Sequence, residues 1–164
     1  MTFVQPNRTG KGTANDVVMT PESLAIKILD YFKPTGLVLE PCKGTGNFYR
    51  NIKGKKDWCE ITEGKDFLEY NKKVDWIITN PPFSIYDLFL LHSFEIADNI
   101  VFLTVASKAF KSQKIDKAIQ KFGGLKEIVL LGGGSKAGFP FGFPLCCLYY
   151  KRNFRGKIKL TRRY

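Results

Sequence analysis

Leu37-Val38-Leu39-Glu40-Pro41-Cys42-Lys43-Gly44-Thr45-Gly46-Asn47-Phe48 decides the fold. A short apolar strand, Leu37 to Leu39, runs into an acidic residue, then a glycine turn, then a helix from about Phe48. Glycine lets a backbone turn tightly and approach a ligand closely. Upstream, Thr20-Pro21-Glu22-Ser23 opens another helix. Thr20 offers a cap, Pro21 fits the first turn, and Glu22 suits the positive end of the dipole. Leu24, Ile28, Leu29 and Phe32 give it an apolar stripe, and Pro34 ends it. Downstream, Trp58 to Ile61, Val74 to Thr79, Ile100 to Val105, Ile128 to Leu131 and Leu145 to Tyr150 read as strands. Ile85 to Ala97 and Gln113 to Phe122 read as helices, and Phe154 to Tyr164 as a basic final strand. Such alternation implies an α/β fold, a mainly parallel twisted sheet with helices on both faces. Sheets of this kind bind ligands beyond the C-terminal ends of their strands, where the strand order reverses. The residues after Leu39, after Ile61 and after Thr79 fall there.

The chain has 164 residues, 44% apolar and 25% charged. These values fit one folded domain over 1–164 and exclude a disordered chain. Residues 1–19 read as an irregular arm. No apolar run approaches the ~18 residues of a membrane span. The N-terminus lacks a charged segment followed by an apolar one, so the expectation is a cytoplasmic protein (host cytoplasm if phage-encoded), neither membrane-bound nor secreted. Cysteines at 42, 59, 146 and 147 show no C-x-x-C spacing. They read as reduced thiols with no metal, and Cys146 and Cys147 should face opposite sides of a strand. His92, in an apolar helical stretch, reads as structural.

Lys and Arg number 26 against 15 Asp and Glu, a net charge of +11. A polyanion is the natural partner, nucleic acid the commonest, and a merely basic surface the alternative. Most of the 14 Phe, 7 Tyr and 2 Trp should be core, but rings also stack on bases.

The second motif is Asn80-Pro81-Pro82-Phe83, directly after Val74-Asp75-Trp76-Ile77-Ile78-Thr79. Two prolines lock the backbone and remove two N–H donors. What remains is a rigid turn carrying carbonyls, an amide and a ring. That suits transfer to an amine conjugated with a heteroaromatic ring, whose lone pair is delocalised. The Asn80 side-chain oxygen and the Pro81 carbonyl would accept its two N–H bonds, and Phe83 would stack on the ring. At the first motif, Tyr49 stands where a dinucleotide fingerprint has its third glycine, and there is no phosphate loop. Glu60, at the end of the second strand, would bind ribose hydroxyls or be a solvated charge. Asp66 would accept an adenine amine with Phe67 over the ring, or serve a turn.

Together these residues resemble the amino-methylating group of class I S-adenosylmethionine-dependent methyltransferases, most of all the adenine-N6 enzymes. Residues 40–48 match acid-Pro-x-x-Gly-x-Gly-x-Phe at every fixed position, and residues 80–83 match Asp/Asn/Ser-Pro-Pro-Phe/Tyr/Trp. Asp16-Val17-Val18-Met19-Thr20-Pro21 is similar to the segment that flanks the cofactor in that group. The resemblance covers 16 to about 150 and implies a Rossmann-like sheet with an antiparallel C-terminal strand. It implies S-adenosylmethionine as cofactor, S-adenosylhomocysteine as product, and adenine N6 in DNA as target, flipped out or single-stranded. It places Thr20 and Pro21 by the methionine part, Glu40, Pro41, Cys42, Gly44, Gly46 and Phe48 around the cofactor turn, and Glu60 on the ribose. Asp66 and Phe67 go to the adenine, and Asn80, Pro81, Pro82 and Phe83 to catalysis, with Asn80 also lining the cofactor. Residues 140–144 would lie near the target base. Pro41-Cys42 also mimics the dipeptide of cytosine-C5 enzymes, but it lies in the cofactor turn and is not expected to be a nucleophile.

The chain has no room for a separate target-recognition domain, so a protein partner or loops would supply recognition. Lys108, Lys111, Lys114 and Lys117 and the tail Lys151, Arg152, Arg155, Lys157, Lys159, Arg162 and Arg163 would hold phosphates; Lys114 and Lys117 equally fit a solvent face. Lys108, Lys111, Arg152 and Arg155 are the leading nucleic-acid candidates. RNA adenine methylation, protein glutamine-N5 methylation, and a non-catalytic cofactor-binding subunit of a nucleic-acid complex are the competing readings.

Overall fold

The structure, a computed structural model, describes residues 18–140 and 142–164. Most of the expected N-terminal arm, residues 1–17, lies outside the described residues, as does Phe141. Seven strands form one sheet: β1 Val38–Glu40, β2 Lys56–Trp58, β3 Val74–Thr79, β4 Ala97–Thr104, β5 Gly123–Gly133, β6 Pro144–Arg152 and β7 Lys159–Arg162. Their order is β2-β1-β3-β4-β6-β5-β7. β2, β1, β3 and β4 run parallel, β6 is antiparallel to both β4 and β5, and β7 is parallel to β5. The sheet is thus mainly parallel with an antiparallel C-terminal strand, as expected. The chain order reverses between β1 and β3, which makes the crevice beyond their C-terminal ends the ligand position for this architecture.

The helices are α1 Glu22–Phe32, α2 Asn47–Asn51, α3 Tyr86–Ile96 and α4 Gln113–Phe122. They lie on both faces because the strands are apolar on both faces. In β4, Ile100 and Phe102 join one core with Phe89, Leu90, Ile115 and Ile119 of α3 and α4. Val101 and Leu103 alternate into a second core with Leu24, Ile28 and Leu29 of α1 and Phe48 of α2. Cys146 and Cys147 divide the same way, one to each core. Full burial of such side chains contributes about 1.5–3 kcal/mol each, so the two cores dominate the stability.

α1 begins one residue later than the sequence suggests. Pro21 is its N-cap, Thr20 caps nothing with its side chain, and the Pro21 carbonyl accepts the N–H groups of Leu24 and Ala25. Thr20 is buried, and the site below accounts for it. α1 ends at Lys33, left-handed with φ 46°, just before Pro34. α4 is capped by Ser112, whose hydroxyl accepts the N–H of Ile115 at 3.3 Å. β5 then starts directly at Gly123, with no loop between. A Cβ on Gly123 would sit 2.2 Å from the Lys151 carbonyl oxygen of β6. Gly123→Ala is therefore expected to lower stability by about 1–3 kcal/mol. Urea unfolding checks it, through a lower midpoint at unchanged slope.

Candidate active site

The crevice between β1 and β3 collects the two sequence motifs. β1 ends at Glu40, and the chain turns through Gly44 (φ 52°) and Gly46 (φ 80°) into α2. β3 ends at Thr79, and Asn80 follows at the same edge. The Cys42 thiol lies between the turns, 2.9 Å from Thr79 Oγ1, and donates to the Asn80 carbonyl at 3.2 Å. Burial pushes the Cys42 thiol far up, and the Glu40 and Glu60 carboxylates push it further, against the Thr79 hydrogen bond. A thiol held neutral is no nucleophile.

Two amides fasten the segment before α1 over this crevice. Asn80 Nδ2 donates to the Val18 carbonyl at 2.9 Å, and Asn47 Nδ2 to the Thr20 carbonyl at 2.7 Å. Arg50 in turn holds the Asn47 side-chain oxygen and the Thr45 carbonyl. Asn80, its nitrogen committed to Val18, also lines a cavity in this crevice. That cavity is about 30 Å³, lined by Thr20, Glu40, Cys42, Gly44, Phe48 and Asn80 among others. It has room for only one or two waters. Met19 lies against Gly44, where a Cβ would meet its sulfur at 2.7 Å. Met19 is 45% exposed and flexible, so the wall that limits the cavity is the one that moves most cheaply.

Two carboxyls sit beneath the glycine turn. Glu40 is 2% exposed, and its Oε2 accepts the Tyr49 N–H at 2.6 Å. Burial pushes its pKa up to about 8, and the Glu60 charge adds to the rise, against the Tyr49 hydrogen bond and the Lys43 and Arg50 charges. Glu60 is also buried; it accepts the Gly44 N–H at 2.7 Å and the Thr62 N–H and hydroxyl at 3.2 and 3.0 Å. The carboxylate expected to be open to a ribose therefore braces the glycine turn. It also stands beyond β2, which stops at Trp58. A buried carboxyl of raised pKa in a glycine cradle suits a ligand bearing positive charge.

Several expected site residues are placed elsewhere. Phe67 is 2% exposed and packs between Phe89 and His92, at 4.8 and 4.9 Å between ring centroids. Its apolar surroundings place it in the core. Asp66 accepts the Leu68 N–H at 2.8 Å and caps a 3-10 turn, the competing reading. His92 is held by the Tyr70 carbonyl at 2.8 Å, a structural role. Pro41, Pro81 and Pro82 are buried, and Phe83 is half-buried.

The four leading nucleic-acid candidates are all engaged within the fold. Lys108 donates to the Phe83 carbonyl at 2.9 Å and lies over the Phe83 ring at 5.5 Å, which makes it a buttress of the Asn-Pro-Pro-Phe turn. Lys111 pairs with Asp87 at 2.8 Å. Arg152 joins the Asp98 carboxylate to the Phe94 and Ala97 carbonyls, and Arg155 holds the Gly123 carbonyl. Arg152 pairs with Gly123 in the ladder, at the sheet edge opposite Asn80. These two arginines are straps because β6 runs away from the site. The residues that sequence reasoning missed are Val18, Asn47 and the buttressing role of Lys108. Among the described residues no cluster of His, Cys, Asp or Glu could hold a metal, and no helix is long and apolar enough to cross a membrane.

Neither a protein-family profile nor a curated protein sequence matches the chain. Solved structures do. A Listeria monocytogenes protein described as a class I S-adenosylmethionine-dependent methyltransferase aligns with a TM-score of 0.67 at 16% identity, over 88% of this chain and 65% of that one. A type I restriction-modification methyltransferase subunit from Streptococcus thermophilus aligns at 0.66 and 14%, over 88% and 46%. A protein from Pyrococcus horikoshii described as an RNA methyltransferase aligns at 0.54 and 17%, over 80% and 83%. The fold is that of class I methyltransferases. The chain spans under two thirds of the first of these and under half of the second.

The raised Glu40 pKa has a consequence for stability. An acid whose folded pKa lies above its unfolded value of 4.5 favours folding fully below pH 4.5 and loses that contribution as pH rises to about 8. Glu40→Gln removes the titration. Between pH 5.5 and 8.5 the wild type is expected to lose unfolding free energy relative to Glu40→Gln. Parallel curves would mean that the carboxylate ionises without penalty.

Proposed function

We propose that this chain transfers a methyl group from S-adenosylmethionine to the N6 amine of adenine in DNA, leaving S-adenosylhomocysteine. The observation that carries the reading is the Asn80 amide. Its nitrogen is fixed on Val18, and the residue lines the cavity shared with Glu40 and the glycine turn, which supports giving its oxygen the acceptor role. S-adenosylmethionine, when bound, supplies an electrophilic methyl group on a sulfonium. Glu40 and the Gly44 to Gly46 turn would hold its charged and sugar portions, with Thr20 and Met19 as the covering wall. Asn80 Oδ1 accepts an N–H of the target amine and draws its lone pair out of conjugation with the ring. Buried Pro81 and Pro82 prevent the turn from yielding, and Lys108 holds Phe83 beneath the place of the base. The net charge of +11 suits a nucleic acid, and the resemblance to a subunit of a restriction-modification system inclines the choice to DNA.

Transfer of labelled methyl to duplex DNA, single-stranded DNA, RNA and protein, followed by nucleoside analysis, tests this. N6-methyladenine in DNA is the expected product; label in protein alone would sink the reading, and label in RNA alone would move it to RNA. Asn80→Ala is expected to lower turnover at saturating substrate by about 10²–10³, the scale for losing one preorganised transition-state partner. Cys42→Ser is expected to keep substantial turnover, because a hydroxyl can hold both Thr79 and the Asn80 carbonyl. The same steady-state assay reads both variants.

A further inference from the structure

A second recess lies outside the site just described. It is an open groove of about 1110 Å³ between α1 and the C-terminal end of β5, with Arg163 and Tyr164 at its far side. Its volume exceeds the ~300–1,000 Å³ of pockets for small ligands, which suits a polymer better than a metabolite. The floor is apolar, from Val129, Leu131 and Cys147. The lining carries three cationic side chains, Lys27, Lys136 and Arg163, against one acidic side chain, Asp30. It also carries aromatic rings: the Arg163 guanidinium lies 4.8 Å over the Tyr31 ring, and Tyr164 is 77% exposed.

The strand directions put this groove at the same end of the sheet as Asn80. β7 runs parallel to β5, and both run with β4, so Arg163 and Tyr164 arrive at the same sheet edge as the Asn-Pro-Pro-Phe turn. The start of the groove is near the crevice as well. Gly138 packs on Pro21, where a Cβ would meet the proline ring at 3.0 Å, and Pro21 follows Thr20 of the cavity wall.

We propose that this groove binds an unpaired nucleic-acid strand on its way to the Asn80 crevice, with Lys27, Lys136 and Arg163 on phosphates and the exposed Tyr164 stacking on bases. Rings set in a recess reach bases only where those bases are unstacked from a duplex, and cations beside rings over an apolar floor are the chemistry of single-strand binding. The inference deepens the proposed activity and rests on a nucleic-acid substrate, but binding in the groove is read separately from donor binding and transfer.

The test is fluorescence anisotropy of the full chain with end-labelled single-stranded DNA, single-stranded RNA and duplex DNA of one length, across a salt series. Lys27→Glu/Lys136→Glu is the variant; both side chains are exposed, so the fold should tolerate the change. Lys114→Glu/Lys117→Glu on α4 makes the same charge change on the other face of the sheet. The groove variant is expected to bind the single strands on the order of tenfold more weakly, with the salt slope reduced by about 0.7 per lost phosphate contact. The α4 variant should bind like the wild type, and the two single-stranded probes show whether DNA or RNA fits better. Equal losses in the two variants, wild-type preference for duplex, or competition by poly-glutamate as strong as by unlabelled oligonucleotide would each overturn the proposal. Calorimetric affinity for S-adenosylmethionine should be unchanged in the groove variant. Absent donor binding in the wild type with single-strand binding intact would remove the methyltransferase reading and leave the groove.

Discussion

A sulfur atom closes the crevice on which the site depends. Cys42 reaches from the β1 turn to Thr79 and Asn80 at the end of β3, so the glycine turn and the Asn-Pro-Pro-Phe turn share one contact. The contact exists because β1 and β3 are paired in fixed register, Val38 on Trp76 and Leu39 on Ile77. A slip of one residue would turn every side chain of β3 to the opposite face and carry Asn80 away. Both faces of β3 are buried, which makes such a slip costly. A neutral thiol is well suited to the position. It can give and accept weak hydrogen bonds, and it adds no charge of its own beside the two acids Glu40 and Glu60.

Features that depend on short-range pattern were legible in the sequence. Val74–Thr79 and Gln113–Phe122 have the boundaries that their apolar runs and punctuating residues suggest, and the reversal of strand order falls where the two motifs sit. The turn chemistry of Asn80-Pro81-Pro82-Phe83 was legible because proline constrains the backbone whatever surrounds it. What was hidden is carried by backbone acceptors. The Val18 and Thr20 carbonyls bind amides 62 and 27 residues away, and a carbonyl has no side-chain signature. Phe67 shows the converse problem. An apolar ring beside an acidic residue reads equally as a ligand cover and as core, and only the packing of α3 decides for the core.

The basic C-terminal stretch shows how topology divides a charge run. In sequence, Lys151 to Arg163 is one block of positive charge. In the sheet, β6 carries Arg152 to the edge away from the crevice, where burial of the Phe94 and Ala97 carbonyls leaves acceptors that a guanidinium satisfies. The chain then reverses, and β7 returns Arg162 and Arg163 to the end of the sheet at which the crevice lies. Glu127 of β5 fixes that return by accepting from Thr161 and Tyr31, both at 2.6 Å, and pairing with Lys159 at 3.1 Å. The same carboxylate therefore seats β7 and holds the Tyr31 ring under Arg163. The arginine that straps the far end of the sheet and the one that lines the groove are separated by strand direction.

The glycine turn runs against stability where its ligand would sit. Two buried carboxyls lie close enough for one to raise the pKa of the other, and the Glu40 proton is held to about pH 8. Replacing a buried charged group by a packed apolar one of similar volume is often neutral or stabilising, so a core built for stability alone would not place Glu40 there. The arrangement becomes favourable once a cation enters, because the cation lowers the cost of ionising Glu40 and offsets the repulsion from Glu60. Glu60 cannot withdraw to relieve the strain without releasing the Gly44 N–H, which would loosen the turn that shapes the pocket. Each carboxyl is tied to its own backbone amide, Glu40 to the Tyr49 N–H and Glu60 to the Gly44 N–H, so the fold holds both acids at the turn that shapes the pocket.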